Sequence, residues 1–416
     1  MKNEGWRTAS LGDKDIALTA SGGTPDRSDA SNFGGDISWV KSGELDDNII
    51  YATEEKLTEH GVQTSSAKLF PRGTLLVAMY GATAGRTAIL GIEATTNQAV
   101  CAIFPQNGSF DDRFLQFQLM YDRPKLLNAR SGGAQPNISQ RVVATLDVVL
   151  PPVEEQRAIA RALETVQQAK EARERELDLE RERKAALMEY VFTHGTRSEP
   201  TQQTEIGEIP QSWKVKPLSS VADLVSGGTP FRENADWWKG AIPWASPKDM
   251  KSVRLADTQE HVSEEGIENG SRLVPSGTIF IVIRGMILAK DTPIALAEVS
   301  MAFNQDMKAV LCHEEQSSEY LLNALIWRKD GLAKHIGTSA HGTRRISTAA
   351  VDSLQLPIPP PDEQIEIARI LGLCEAKIVA LEREIPLHEE LFRAILEELM
   401  TGRVSALPLI EEHQAQ

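Results

Sequence analysis

The sequence predicts an α+β chain written twice: two tandem globular domains, each followed by a long helix, with the two helices pairing as an antiparallel coiled coil. Three observations carry this reading. An ordered internal repeat runs through the 416 residues. Short apolar runs bounded by turn residues mark buried strands in both copies. Two long stretches then keep apolar residues at heptad spacing.

The repeat comes first, because it sets the domain count. Ser21-Gly22-Gly23-Thr24-Pro25 returns as Ser226-Gly227-Gly228-Thr229-Pro230, 205 residues later, and Trp39 returns as Trp244 at the same offset. Pro71-Arg72-Gly73-Thr74 returns as Pro275-Ser276-Gly277-Thr278 at offset 204, and Asn97-Gln98 as Asn304-Gln305 at 207. Ile138-Ser139, Pro151-Pro152 and Glu155-Gln156 return as Ile346-Ser347, Pro359-Pro360 and Glu363-Gln364, all at 208. Matches that stay in order with so little drift are a tandem duplication.

The first globular domain is residues 1–150 and the second 213–358. Gly73-Thr74 opens the run Leu75–Met79, and Gly277-Thr278 opens Ile279–Ile283; both predict buried strands. Ala99–Phe104 and Thr145–Leu150 read the same way, whereas Asp112–Met120 and Glu319–Lys329 carry helical spacing. Trp39 and Trp244 lie beside apolar strands, which favours core packing for both. Prolines then close each domain, and acidic residues follow, as a helix N-terminus prefers. The first spacer helix is assigned to 151–195 and the second to 359–403, with a polar linker at 196–212 and a tail at 404–416.

In the second helix the seam is Ile367, Leu371, Cys374, Ile378, Leu381, Ile385, His388, Phe392, Ile395 and Leu399. In the first it is apolar at its ends, at Ile159, Leu163, Val166, Leu177, Leu187 and Val191, and polar at Lys170, Arg173, Glu180 and Lys184. Antiparallel pairing lays the long Lys and Arg stems along the richer seam. Two separate amphipathic helices are the alternative, and the sustained heptads favour pairing. Pro386 should kink the second helix or interrupt it.

A net charge of −15 argues at first against nucleic acid as a partner. Its distribution removes that objection, because 11 of the 15 excess negative charges fall in residues 151–212 and 353–416. Both globular domains are close to neutral. Cys101, Cys312 and Cys374 are too scattered for a disulfide framework or a zinc module. The start carries no apolar signal core, so a cytoplasmic setting is expected. Gly81-Ala82-Thr83-Ala84-Gly85-Arg86-Thr87 is one residue short of a phosphate loop and has Arg in place of Lys. No nucleophile elbow, dinucleotide fingerprint or Asn/Asp-Pro-Pro-aromatic sequence occurs.

The chain resembles the specificity subunit of type I restriction-modification systems. Ile206-Gly207-Glu208-Ile209-Pro210-Gln211-Ser212-Trp213 looks like that family's entry into its second recognition domain. The two Ser-Gly-Gly-Thr-Pro turns, Gly132-Gly133-Ala134-Gln135-Pro136-Asn137-Ile138 and the two Pro-Pro-x-Glu/Asp-Glu-Gln helix entrances match its other signatures. In the second half, Gly337–Ser347 departs from the Gln-Pro-Asn loop and offers His341, Thr343, Arg344 and Arg345 instead. The resemblance implies a non-catalytic chain with two target recognition domains, each reading half of a split DNA site. It implies two methyltransferase subunits and restriction/translocase subunits as partners, with S-adenosylmethionine, ATP and Mg held by those partners and no cofactor here. A bridging protein that uses the coiled coil without reading DNA is the rival.

DNA contacts need cations, backbone N–H groups and side chains able to form paired hydrogen bonds to base edges. In the first domain the candidates are Gly22, Gly23, Thr24, Arg27, Lys41, Ser42, Tyr80, Thr83, Arg86, Arg130, Gln135 and Asn137. In the second they are Gly227, Gly228, Thr229, Arg232, Ser246, Lys248, Arg284, Lys290, His341, Thr343, Arg344 and Arg345. The glycines are included because they let a backbone approach a phosphate closely. Each cation either reaches DNA or is a solvated surface charge. Asn97-Gln98 and Asn304-Gln305 either read adenine edges or brace a loop.

Overall fold

The computed structural model describes residues 5–128, 137–338, 342–408 and 410. It divides into two units, residues 1–174 with 383–416, and residues 175–382. The boundary therefore falls inside both long helices, and each unit owns one globular domain and a half of each helix.

In the first unit a five-stranded sheet runs in the order Ala17–Ser21, Val100–Pro105, Leu75–Ala78, Thr87–Leu90, Asn48–Ile50. Side chains alternate across it. Leu75, Val77, Cys101 and Ile103 join one cluster, with Phe114 and Phe117 of the helix Asp112–Tyr121. Leu76, Ala78, Val100 and Ala102 join another, with Val40, Leu45 and Phe70. Both faces being covered explains why this strand reads as an unbroken apolar run. A four-stranded sheet carries Glu55–Leu57, Phe33–Val40, Ala94–Thr96 and Leu69–Phe70 in that order.

The second unit repeats the plan. Its five strands are Ala222–Ser226, Met307–Cys312, Ile279–Val282, Ile294–Ala297 and Arg254–Leu255, and its helix is Ser318–Trp327. Its four-stranded sheet is Glu260–Val262, Ile242–Ala245, Met301–Phe303, Leu273–Val274.

The long helices are Val153–His194 and Pro361–Met400. Gly195 and Gly402 follow them with φ of 66° and 67°, the left-handed stop that glycine adopts without strain. Every seam residue named above is buried or half-buried. In the first unit Lys170 pairs with Glu389, and Arg173 with Glu384 at 3.5 Å. In the second, Glu176 pairs with Lys377, Arg181 with Glu382 and Lys184 with Glu375. Partner numbers that fall along one helix as they rise along the other define antiparallel helices. Lys170, Arg173 and Lys184 of the first seam thus reach across as long stems ending in ion pairs, whereas Glu180 pairs with Arg183 on its own helix.

Of the two outcomes expected at Pro386 interruption is excluded, and two further segments differ from the sequence reading. The second helix is continuous through Pro386 and is not interrupted there. Proline removes the N–H that would have met the Glu382 carbonyl, and its ring crowds that carbonyl. The expected linker is folded: Thr201–Thr204 and Gly207–Pro210 pair as antiparallel strands, and Ile206 and Ile209 are buried in the second unit's core. The tail also packs, since Ala406 is buried in the first unit's core.

A tryptophan near the start of each half and the Glu-Gln repeat lock each domain to its helix. Trp6 Nε1 donates to Glu155 at 3.1 Å, and Trp213 Nε1 donates to Glu363 at 3.0 Å. Gln156 accepts from the backbone N–H of Asp111, and Gln364 accepts from that of Ser317. These residues recur for the same structural reason in both halves.

Candidate nucleic-acid interface

The end of one central strand gathers the candidate loops in each unit. In the first, the Met79 N–H donates to the Ala99 carbonyl, and the Met79 carbonyl accepts from the Ile138 N–H. In the second, Ile283 donates to Asp306 and accepts from Ile346. The loop leaving the strand is Tyr80–Arg86 in one and Arg284–Asp291 in the other. The Asn-Gln turn and the Ser-Gly-Gly-Thr-Pro turn join it. Thr24 donates to Gln98, and Thr229 donates to Gln305.

The glycines of these turns are not spare room for a phosphate. A Cβ on Gly22 would stand 2.1 Å from the Thr96 carbonyl oxygen, and one on Gly23 2.3 Å from Ser66 Oγ. On Gly227 it would stand 2.2 Å from the Phe303 carbonyl, and on Gly228 2.3 Å from that of Gly270. The close approach they permit is to the protein's own neighbouring segments, so the absence of a side chain at these positions has an internal structural reason. Asn97 and Asn304 are loop braces: each accepts from a backbone N–H two residues on.

Arg27 and Arg232 are also engaged internally. Arg27 pairs with Glu55 at 2.7 Å and lies 4.9 Å from the ring centroids of both Phe33 and Trp39. Arg232 pairs with Glu260 and lies 3.7 Å from the Trp238 ring and 5.1 Å from that of Trp244. The guanidinium beside Glu260, like Arg27 and Lys41 beside Glu55, holds the carboxyl below its usual range. Trp39 and Trp244 are core residues, as expected, and each donates its indole N–H to the second glycine of the turn. Lys41 bonds Glu54 and Glu55, which hold its pKa up.

Ser42 offers its carbonyl to the Thr83 hydroxyl, and Arg86 pairs with Asp46 at 2.6 Å and Asp47 at 3.1 Å. Ser246 bonds Asp249 through both its N–H and its hydroxyl. For Lys41, Thr83, Arg86 and Ser246, therefore, an internal partner already occupies the side chain that was to reach DNA, whereas Ser42 engages only its backbone carbonyl. Tyr80 and Asn137 are exposed. Arg130, Gln135 and His341 lie outside the described residues.

The second unit presents freer cations. Lys248 and Lys290 are exposed, and Arg284 pairs with Asp306 at 3.5 Å. Arg344 and Arg345, with Thr343 beside them, form a short strand paired with Gly337–Thr338. Among the described residues Lys290, Arg344 and Arg345 have no carboxylate within ion-pair distance. Sequence reasoning passed over Met286 and Ile287, which stand exposed between Arg284 and Lys290. Their signal was three consecutive apolar residues inside a loop rather than a strand.

Among the described residues no cluster of three or more His, Cys, Asp or Glu is arranged to hold a metal. No described helix is long and apolar enough to cross a membrane.

Residues 3–181 and 210–388 match the model of the type I restriction modification DNA specificity domain. The chain belongs to this family. It is 32% identical over 190 residues to the Type I restriction enzyme EcoR124I/EcoR124II specificity subunit of Escherichia coli. That match spans 44% of this chain and only 46% of the relative, so less than half of the relative's length is covered. A longer match, 21% identical over 339 residues and 79% of both chains, is to the Type I restriction enzyme MjaVIII specificity subunit of Methanocaldococcus jannaschii. The fold is similar to the crystal structure of a type I restriction-modification S subunit from M. genitalium, with TM-score 0.64, 14% identity and coverage of 96% and 97% of the two chains.

Proposed function

We propose that this specificity-family chain reads a bipartite DNA site for a type I restriction-modification complex and performs no chemistry itself. The observation that carries the reading is the doubled loop cluster: one sheet end in each unit gathers the same Ser-Gly-Gly-Thr-Pro and Asn-Gln turns beside a strand-leaving loop whose residues differ. Shared anchors with unlike loops suit two half-sites of different sequence. The second cluster adds Arg284, Lys290, Arg344 and Arg345, cations of the kind that neutralise phosphates.

The long helices support the partner side of the proposal. Leu179, Tyr190, Ile365, Leu373, Leu387 and Leu391 are large, exposed and on helices whose seams are already filled. Such residues suit a protein partner, and the acidity of these helices repels phosphate. Two methyltransferase subunits and restriction/translocase subunits are the proposed partners. S-adenosylmethionine, ATP and Mg belong to them.

The test is a mobility shift with the chain and its methyltransferase partner, using duplexes from a genome whose methylated motif has been read by direct sequencing. Preference for the motif over random duplex supports the proposal, as does an isolated chain without methyl transfer. Equal binding to both duplexes favours a bridging protein, and methyl transfer by the isolated chain refutes the non-catalytic assignment.

A further inference from the structure

The loop that leaves the central strand of the second unit ends in a hydrophobic tip. Met286 is 68% exposed and Ile287 40% exposed, whereas Leu288 beside them is 2% exposed and anchors the turn. The three residues belong to one turn of 3-10 helix, Met286–Ala289. Its backbone is pinned from both ends. The Gly285 N–H donates to the Arg344 carbonyl at 3.1 Å, and Lys290 and Asp291 donate back to the Ile287 carbonyl. The tip is therefore held out to solvent by its own hydrogen bonds rather than by looseness.

Its surroundings are cationic. Arg284, paired with Asp306 at 3.5 Å, precedes it, Lys290 follows it, and Arg344 and Arg345, with no described carboxylate partner, lie on the strand bonded to its base. Asp291 is neutralised by Lys329 at 2.8 Å. The matching loop of the first unit is unlike it. Tyr80, Gly81 and Ala82 are exposed there with no aliphatic tip, Thr83 bonds the Ser42 carbonyl, and Arg86 pairs with Asp46 and Asp47.

We propose that Met286 and Ile287 are specificity-determining residues that pack on thymine 5-methyl groups in the major groove of the half-site read by the second unit. This rests on the DNA-reading function proposed above. A patch that is apolar at its centre and cationic at its rim matches a duplex, whose phosphates flank the base edges. Thymine is the base whose major-groove edge offers a methyl group. The minor groove is too narrow for this element. Two hydrogen-bonded backbone segments already stand about 4.8 Å apart before side chains are added, against a groove of about 6 Å. The major groove, about 12 Å wide, takes a two-stranded ribbon.

The experiment uses the full chain with its methyltransferase partner and duplexes carrying the methylated motif. Thymines are replaced by uracil, which lacks the methyl, in one half-site at a time. In one half only, each critical replacement should weaken binding about fourfold, the value of one buried methyl group. With Met286→Ala and Ile287→Ala together, the same replacement should have no further effect, and the other half should be read as before. Ile287→Val with Met286→Leu should restore the uracil penalty. A thermal melt checks that the variants fold, and retained reading of the other half checks it in the complex. A uracil penalty unchanged in the alanine variant overturns the proposal. So does a motif with no thymine in the second unit's half, or an equal loss of affinity for random duplex. Failure of the wild-type complex to prefer its motif at all would instead strike the DNA-reading function itself.

Discussion

Asp47 ties the loop ending at Thr87 in the first unit to Arg123 and to the first long helix, and replacing it by Ala should be severe. The residue is buried and has φ of 59°, a conformation that Asp and Asn tolerate better than Ala. Its carboxylate accepts from the Thr87 N–H at 3.1 Å, the Thr87 hydroxyl at 2.9 Å and both Arg86 and Arg123. Its carbonyl accepts from Gln167 of the first long helix. Thr87 is 0% exposed, so no water replaces the lost acceptor. An unsatisfied buried N–H costs about 1–3 kcal/mol, and a left-handed Ala adds about 1 kcal/mol. The arginines recover part of their loss, because their side chains are 44% and 23% exposed. The sum is about 3–4 kcal/mol for Asp47→Ala. Asp47→Asn keeps the backbone tolerance and one acceptor oxygen, and should cost about half as much. Hydrogen exchange at the Thr87 amide, with urea unfolding of the full chain, reads both. If Asp47→Ala costs less than about 1 kcal/mol, or Asn proves as damaging as Ala, Asp47 is not the hub of these contacts.

Three further outcomes follow from other sites. Arg344→Ala with Arg345→Ala in the complex should reduce the slope of log affinity against log salt by about 1–2, one step for each phosphate left without its cation; an unchanged slope removes both residues from the interface. Lys184 and Glu375 have side chains only 15% and 17% exposed, so replacing either one alone by Leu should destabilise more than replacing both, as a double-mutant cycle in urea would show. Burial, with Asp111 nearby, pushes the Asp112 carboxyl up to about 7. A carboxyl raised on folding favours the folded state while protonated, so stability from this group falls as pH rises from about 4 to 7. Asp112→Asn should flatten that decline in pH-dependent melts, and an unchanged profile assigns the titration elsewhere.

The repeat, the buried strands and the two seams were legible because each rests on local chemistry. Leu75–Ala78 and Ile279–Val282 are covered on both faces, so their apolar runs are unbroken. The helix stops at Gly195 and Gly402 need a left-handed residue, which only glycine supplies without strain. Trp39 and Trp244 were legible as core for a similar reason, since they return at one offset within short strands of their own, Phe33–Val40 and Ile242–Ala245. The segment before Trp213 was misread because its composition is polar, although two isoleucines suffice to bury a hairpin. Partners far apart in sequence were not legible at all. Nothing local to Arg27, Arg86 or Arg232 says that Glu55, Asp47 or Glu260 will stand beside it. Likewise nothing in Ser-Gly-Gly-Thr-Pro says that neighbouring segments of the protein fill the space above its glycines. Burial patterns and turn chemistry are properties of short windows, and the sequence determined them by itself. Whether an exposed cation is already paired depends on which chain segments the fold brings within about 4 Å of it, and only the tertiary structure decided that.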